Sequence, residues 1–282
     1  MSLEEIFFIK KLKALLEESI ATLPDQLSRW NHFLDRLNRG EPIQYIMGYT
    51  EFYGRRFLVN PSVLIPRPET EELVHWILED LNALIRKPIE ESFKILDLGT
   101  GSGIIPISLQ LENPALDLWG LDISRPALDL ARENNQNLGA GVRWLEGDIL
   151  GLGNPDIIPK EFKPLDGPIQ DITYPSFPQS WDIIVSNPPY IPISEKNILD
   201  RRVKSFEPSL ALFVEDHDPL LFYRSILEFA NHHLKKNGWV YFEINEKYPM
   251  EIKNLGSGLG FKSIELSRDQ RGKDRMVRLK KP

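Results

Sequence analysis

The chain has 282 residues, 41% of them hydrophobic and 27% charged, which suffices for one large domain or for a domain with a small accessory one and leaves no long stretch of disordered composition. A formal net charge of −7 disfavours a protein that holds long nucleic acid mainly by phosphate contacts. The absence of cysteine excludes disulfides, thiolate metal sites and cysteine nucleophiles.

The first twenty residues, "MSLEEIFFIKKLKALLEESI", have helical apolar spacing through Leu3, Ile6, Phe7, Leu12, Leu15, Leu16 and Ile20. Early acids and Lys10, Lys11 and Lys13 interrupt any apolar run, so a secretory leader is not expected. No stretch approaches the roughly 20 apolar residues of a membrane span, and the expectation is a soluble cytoplasmic protein. A second amphipathic helix comes after Pro24, with Leu27, Trp30, Phe33, Leu34 and Leu37 on one face and Gly40 as its stop. Residues 1–40 therefore read as a small helical bundle.

Residues 41–66 change character. "YTEFYGRRFLVN" alternates about Gly54 and predicts a β-hairpin linking the bundle to the rest of the chain. Pro66 and Pro68 end the extended segment, and Glu69 and Glu71 open a helix where acids suit the dipole. From residue 93 the pattern is strand, helix, strand, helix. "FKILDLG", "LDLWGLDIS", "VRWLEGD", "WDIIVSN" and "NGWVYFEIN" are the strands. This alternation predicts a parallel sheet with helices on both faces and ligands at the carboxyl ends of the strands. Residues 151–180 are proline-rich and aperiodic, and read as a surface insertion between the third and fourth strands. The basic tail "SRDQRGKDRMVRLKKP" reads as a solvated edge strand, its charges blocking edge pairing.

Three strand ends carry chemistry. "LDLGTGSG" places Asp97 at the end of the first strand and Gly99, Thr100, Gly101, Ser102 and Gly103 in the turn. The spacing G-x-G-x-G differs from the G-x-G-x-x-G of a pyrophosphate cradle and fits a ligand without a pyrophosphate. Asp122 ends the next strand about 20 residues on, where an acid accepts hydrogen bonds from ribose hydroxyls. Asp148, after the third strand, is placed to reach an adenine amino group, with Ile149 as an apolar wall. The set resembles the S-adenosylmethionine site of the seven-stranded methyltransferases, in which Asp97 lies near the methionine end.

The fourth strand ends in Asn187-Pro188-Pro189-Tyr190. Consecutive prolines fix the backbone and donate no hydrogen bonds. A planar nitrogen is a poor nucleophile because its lone pair is delocalised. The side-chain oxygen of Asn187 and the carbonyl of Pro188 can hold its two N–H bonds, and Tyr190 can pack on its plane. Catalysis of that kind is orientation and electrostatics, with no metal required. The five histidines show no metal spacing, and Glu243 reads as a plain strand-end acid.

"EPIQYIMGYTEFYG", "VLIPRPETEELV", "DLGTGSG", "IVSNPPYIP", "FEPSLALF" and "GKDRMV" together resemble the PrmC (HemK) family, from about residue 41 to 278. The resemblance implies an α/β fold: a Rossmann-like seven-stranded S-adenosylmethionine-dependent methyltransferase domain over residues 67–282, with the 1–40 bundle and the 41–66 hairpin before it. It implies methylation of the glutamine amide in the Gly-Gly-Gln motif of peptide chain release factors, with S-adenosylhomocysteine as product and the bundle helping to dock the factor. It places the cofactor on Gly99 to Gly103, Asp122 and Asn187, the glutamine on Asn187 to Tyr190, and Arg67 at the site, where an ion pair with a nearby acid is the plainer role. Three departures, "VEDHDPLLFYR", "FEIN" and the longer 151–180 insertion, touch loop geometry near the substrate. A monomer without direct nucleic-acid binding is expected. The competing functions are an amino methyltransferase of adenine or guanine and a non-catalytic cofactor-binding module.

Overall fold

The computed structural model describes residues 23–84, 92–152, 163–164 and 180–282. The helix expected over residues 3–20 and most of the 151–180 insertion lie outside them. Helix α1 (Leu23–Asn38) ends before Gly40, whose φ of +86° turns the chain. A short helix α2 (Ile43–Met47) comes next, inside the segment read as hairpin. Strands β1 (Tyr49–Phe52) and β2 (Arg55–Leu58) then pair antiparallel across a two-residue turn. Both turn residues, Tyr53 and Gly54, have positive φ, as the twist of a tight hairpin demands.

The main sheet is built from β3 (Lys94–Leu98), β4 (Asp117–Asp122), β5 (Arg143–Glu146), β6 (Lys163–Pro164), β7 (Trp181–Ser186), β10 (Leu234–Glu243), β11 (Lys262–Arg268) and β12 (Asp274–Lys280). Its order is β11-β12-β10-β7-β3-β4-β5-β6. The five strands β10, β7, β3, β4 and β5 run parallel; β12, β11 and the two-residue β6 are antiparallel additions at the two sides. The chain moves outward from β3 to β4 and β5, then returns to lay β7 on the other side of β3. That reversal opens a crevice at the carboxyl ends of β3, β4 and β7, where open α/β sheets bind ligands. A separate two-stranded piece, β8 (Ile191–Pro192) with β9 (Phe213–Val214), stands just past β7.

Both faces of the parallel strands are buried, which is why they read as nearly continuous apolar runs. Alternation divides them between two cores. Ile95, Ile183, Val185 and Tyr241 join α3 (Pro68–Leu84), α4 (Ile104–Glu112) and α5 (Arg125–Leu138) on one face. Leu96, Leu98, Ile184, Val240 and Phe242 join α7 (Leu221–His233) and α8 (Pro249–Gly258) on the other. Ser124 caps α5, accepting from the Ala127 amide, and Pro126 sits in its first turn.

The basic tail is not a simple edge. A turn through Gly272 (φ +78°) folds it into a hairpin, so that β12 lies between β10 and the true edge β11. Met276, Val277 and Leu279 are buried. Several of its cations are paired: Arg278 with Asp80 and Glu265, Arg275 with Glu246 and Asp269, and Lys273 with Glu246. Sequence showed the charges; only the register showed that buried apolar residues place this strand inside the sheet.

The turn after β3 is held from behind. A Cβ at Gly103 (φ +79°) would lie 2.7 Å from Trp144 Cη2 and 3.0 Å from Ile107 Cδ1. Gly103→Ala is therefore expected to cost about 2–4 kcal/mol, combining left-handed backbone with overpacking. Gly139→Ala has a similar φ of +70° but open space around its Cβ, and should cost about 1 kcal/mol. Urea denaturation of the two variants measures the difference.

Candidate active site

A cavity of about 230 Å³ opens at the carboxyl ends of β3, β4 and β7. Its floor is the glycine turn. Gly99, Gly101 and Gly103 all have positive φ, and a Cβ at Gly101 would meet nothing within 4 Å. The backbone there is accessible to a ligand. Asp122, at the end of β4, fixes the turn: its Oδ2 accepts from the Gly101 amide at 2.8 Å and its Oδ1 from the Ser124 amide at 2.8 Å. Burial pushes its carboxyl above the ordinary range, against those two backbone bonds. From the other side, buried Asn134 donates to the carbonyl of Ser102 at 3.0 Å and exchanges bonds of 2.7 and 3.1 Å with the backbone of Leu58. One side chain thus ties the glycine turn to the hairpin.

Asp97 is wholly buried at the end of β3. Neither of its carboxylate oxygens, nor the Thr100 hydroxyl oxygen, has a geometrically formed hydrogen bond among the described residues. Burial pushes Asp97 up to about 7, with the charge of Asp122 adding to the shift and the nearby Thr100 hydroxyl opposing it. A buried acceptor left without a donor is costly. A cationic group of a ligand is the partner such an acid fits. Asp148 and Ile149 line the cavity beyond β5, and Asp148 Oδ1 accepts from the Leu150 amide at 2.9 Å. Ile123 and Leu150 stand partly exposed beside them and supply two further apolar walls. Sequence reasoning, which singles out Ile149 beside Asp148, misses both.

Asn187 and Pro189 line the cavity from the end of β7. Asn187 Nδ2 donates to Thr70 Oγ1 at 3.3 Å, and Thr70 donates to Glu243 Oε2 at 2.7 Å. The Tyr190 hydroxyl donates to the other oxygen of Glu243 at 3.1 Å. Asn245 Nδ2 donates to the Tyr190 carbonyl, and the Tyr223 hydroxyl to the Glu243 carbonyl. Burial raises both Glu243 and Tyr190 from their ordinary values. The hook after β7 is thus held by the end of β10, and the Asn187 amide nitrogen is engaged from behind.

Two walls come from distant sequence. Ser62, Val63, Leu64 and Pro66 form one, on the segment between the hairpin and α3. Pro208, Leu210 and Ala211 form the other, after α6 (Arg201–Phe206). Arg67, expected at the site, is not among the lining residues. Its Nη2 lies 2.7 Å from both oxygens of Glu207. That pair joins the first wall to the second. Asp97, Gly103, Pro188 and Tyr190 lie beside or behind the cavity surface, whereas Gly99, Thr100, Gly101, Ser102, Asp122, Asp148, Ile149 and Asn187 are on it. Among the described residues there is no cluster of three His, Asp or Glu side chains able to hold a metal ion.

These residues suit a nucleoside ligand bearing a cation: Asp122 is placed for sugar hydroxyls, an apolar slot for a base, and a donor-poor buried acid for the positive group. Residues 95–158 match a family described as a methyltransferase domain. The chain is 39% identical over 277 residues to the release factor glutamine methyltransferase of Flavobacterium psychrophilum, spanning 98% of this chain and 88% of that one. It is 43% identical over 244 residues to the protein of the same name from Bacteroides thetaiotaomicron, spanning 86% and 77%. Among solved structures, a methyltransferase from Pyrococcus furiosus has a TM-score of 0.51 at 18% identity, covering 81% of this chain and 90% of its own, which shows the shared fold.

The Arg67–Glu207 pair gives a direct expectation. The Glu207 side chain is 2% exposed, so Arg67→Ala strands a buried charge and should cost about 2–4 kcal/mol. Replacing both, as Arg67→Met with Glu207→Leu, should recover part of that loss. Thermal melting of the single and double variants checks both statements.

Proposed function

The chain belongs to the release factor glutamine methyltransferase family, and from that premise we propose that it methylates the side-chain amide nitrogen of the glutamine in the Gly-Gly-Gln motif of peptide chain release factors. The methyl donor is S-adenosylmethionine, which when bound supplies a methyl group on a positively charged sulfur. The observation that carries the reading is Asn187: its amide nitrogen is engaged by Thr70, so its carbonyl oxygen is what it offers to the cavity.

The residues divide the work. Asp122 is assigned to the sugar hydroxyls, Asp148 to the base amino group, and Ile123, Ile149 and Leu150 to the faces of the base. Gly99 to Gly103 let the ligand lie against the backbone, and Asp97 answers its ammonium group. Asn187 Oδ1 and the Pro188 carbonyl accept the two N–H bonds of the glutamine amide. Holding both N–H bonds directs the nitrogen lone pair out of conjugation and toward the methyl group, which is orientation and charge stabilisation rather than strong-base chemistry. Pro189 and Tyr190 keep the hook rigid and apolar around the amide. The domain assignment that goes with this reading is docking by residues 1–40, a linking segment over 41–66 that also supplies a cavity wall, and transfer by residues 67–282.

The test is methyl transfer from radiolabelled S-adenosylmethionine to a purified release factor, to the same factor with its Gly-Gly-Gln glutamine replaced, and to bulk RNA. Label on the intact factor alone is expected; label on RNA and none on the factor would overturn the substrate. Asn187→Ala should lower kcat by about a hundredfold or more, and full activity in that variant would sink the assigned mechanism.

Cofactor affinity should depend on pH. A cation at Asp97 favours the carboxylate, whereas burial by itself holds the acid up at about 7. Below that value binding must first remove a proton. The dissociation constant should rise by up to about tenfold per pH unit as pH falls from roughly 7 to 5.5. Titration calorimetry of the native protein and Asp97→Asn checks this: the variant should bind weakly and lose the dependence.

A further inference from the structure

Asn187 is a symmetric-looking amide whose two ends have opposite chemistry. If its nitrogen faced the substrate, it would donate where an acceptor is needed. Nothing in the hook itself decides between the two orientations: a half-turn about the last side-chain bond exchanges them at little cost. The deciding contact lies elsewhere. Glu243 is fully buried, and each carboxylate oxygen receives a hydroxyl, from Thr70 at 2.7 Å and from Tyr190 at 3.1 Å. Two donors on one carboxyl fit its ionised, acceptor-only form. A threonine hydroxyl has one proton. With that proton on Glu243, Thr70 Oγ1 has only lone pairs left for Asn187, so the group facing it must be the amide NH2.

We propose that Thr70 and Glu243 are positioning residues for methyl transfer: they form a hydrogen-bond relay that fixes the Asn187 amide with its oxygen toward the acceptor nitrogen. The relay is a product of the fold. Phe242 pairs with Ser186, so Glu243 and Asn187 each come one residue later on neighbouring parallel strands. Alternation sends both side chains to the face covered by α3, as it does Tyr241 and Val185. Thr70, in the first turn of α3 and 1% exposed, is the residue that stands between them. Neither Thr70 nor Glu243 needs to touch the acceptor to act.

This inference rests on the assignment of Asn187 as the amide-binding residue, not on which macromolecule carries the amide. Thr70→Val keeps the branched shape and removes the hydroxyl. It should lower single-turnover methyl transfer by roughly ten- to a hundredfold through misorientation, with cofactor affinity and the KM for the release factor changed by no more than about twofold. Thr70→Ser should restore most of the rate, because it restores the proton. In an Asn187→Ala background, Thr70→Val should add nothing, because the group it orients is gone. Melting curves report folding, and Thr70→Ala is the second variant should the valine disturb packing. A native rate in Thr70→Val, an equal further loss in the Asn187→Ala background, or no rescue by serine would each overturn the relay. Should the native protein label an acceptor other than the release factor, the substrate reading fails, and the same series on that acceptor still decides the relay.

Discussion

A buried carboxylate that forms no ion pair among the described residues, with the charge of Arg275 acting on it from farther off, must be answered by hydroxyl donors, and at the end of β10 that demand organises the site. Glu243 draws in Thr70 from the helix before the sheet and Tyr190 from the hook after β7. Thr70 is in turn tied to Asn187, and Tyr190 is tied through its carbonyl to Asn245. Three segments far apart in sequence are thereby locked at one point. In a low-dielectric interior such bonds are strong, and leaving any of them unmade is expensive. The network therefore specifies one arrangement of the hook.

The cofactor half of the site has a different logic. There the polar groups are satisfied by backbone, with Asp122 on two amides and Asn134 on two carbonyls and an amide. The glycine turn is rigid because it is held on both sides, and open because Gly99 and Gly101 carry no side chain. Asp97 is the exception: a buried acid without a formed hydrogen bond among the described residues, pushed up to about 7 by burial despite the nearby Thr100 hydroxyl. A buried acceptor in that state is costly, and a cationic ligand group is the partner it fits.

The walls connect these halves. The segment at residues 62–66 and the one at residues 208–211 belong to no strand of the main sheet, yet they enclose the cavity, and Arg67 with Glu207 joins them. Arg67 thus shapes the cavity as a brace without lining it. Helix α2 and the segment after the hairpin pack on α5 through Tyr45, Val59, Val63, Ile65, Ala127 and Leu130, so the piece that links α1 to the sheet is also part of the site.

By itself the sequence determined the alternation of strand and helix, the glycine turn, Asp122 and Asp148 at strand ends, and the Asn187 hook. Each of these is local: a period, a backbone requirement or a residue type at a strand terminus, legible within a short window. It also carried the family motifs. Tertiary structure alone decided what depends on register and long-range contact. Thr70 reads as an ordinary first-turn residue, and Glu243 as a strand-end acid, until the pairing of Phe242 with Ser186 brings them to Asn187. The basic tail reads as an edge until β11 folds outside it. Asn134 gives no signal, because a helical asparagine is usually solvated and here is buried between the glycine turn and the end of β2. Side-chain chemistry is written in the chain residue by residue, whereas a hydrogen-bond relay through residues 70, 187 and 243 exists only once a sheet has set two strand ends and a helix start side by side.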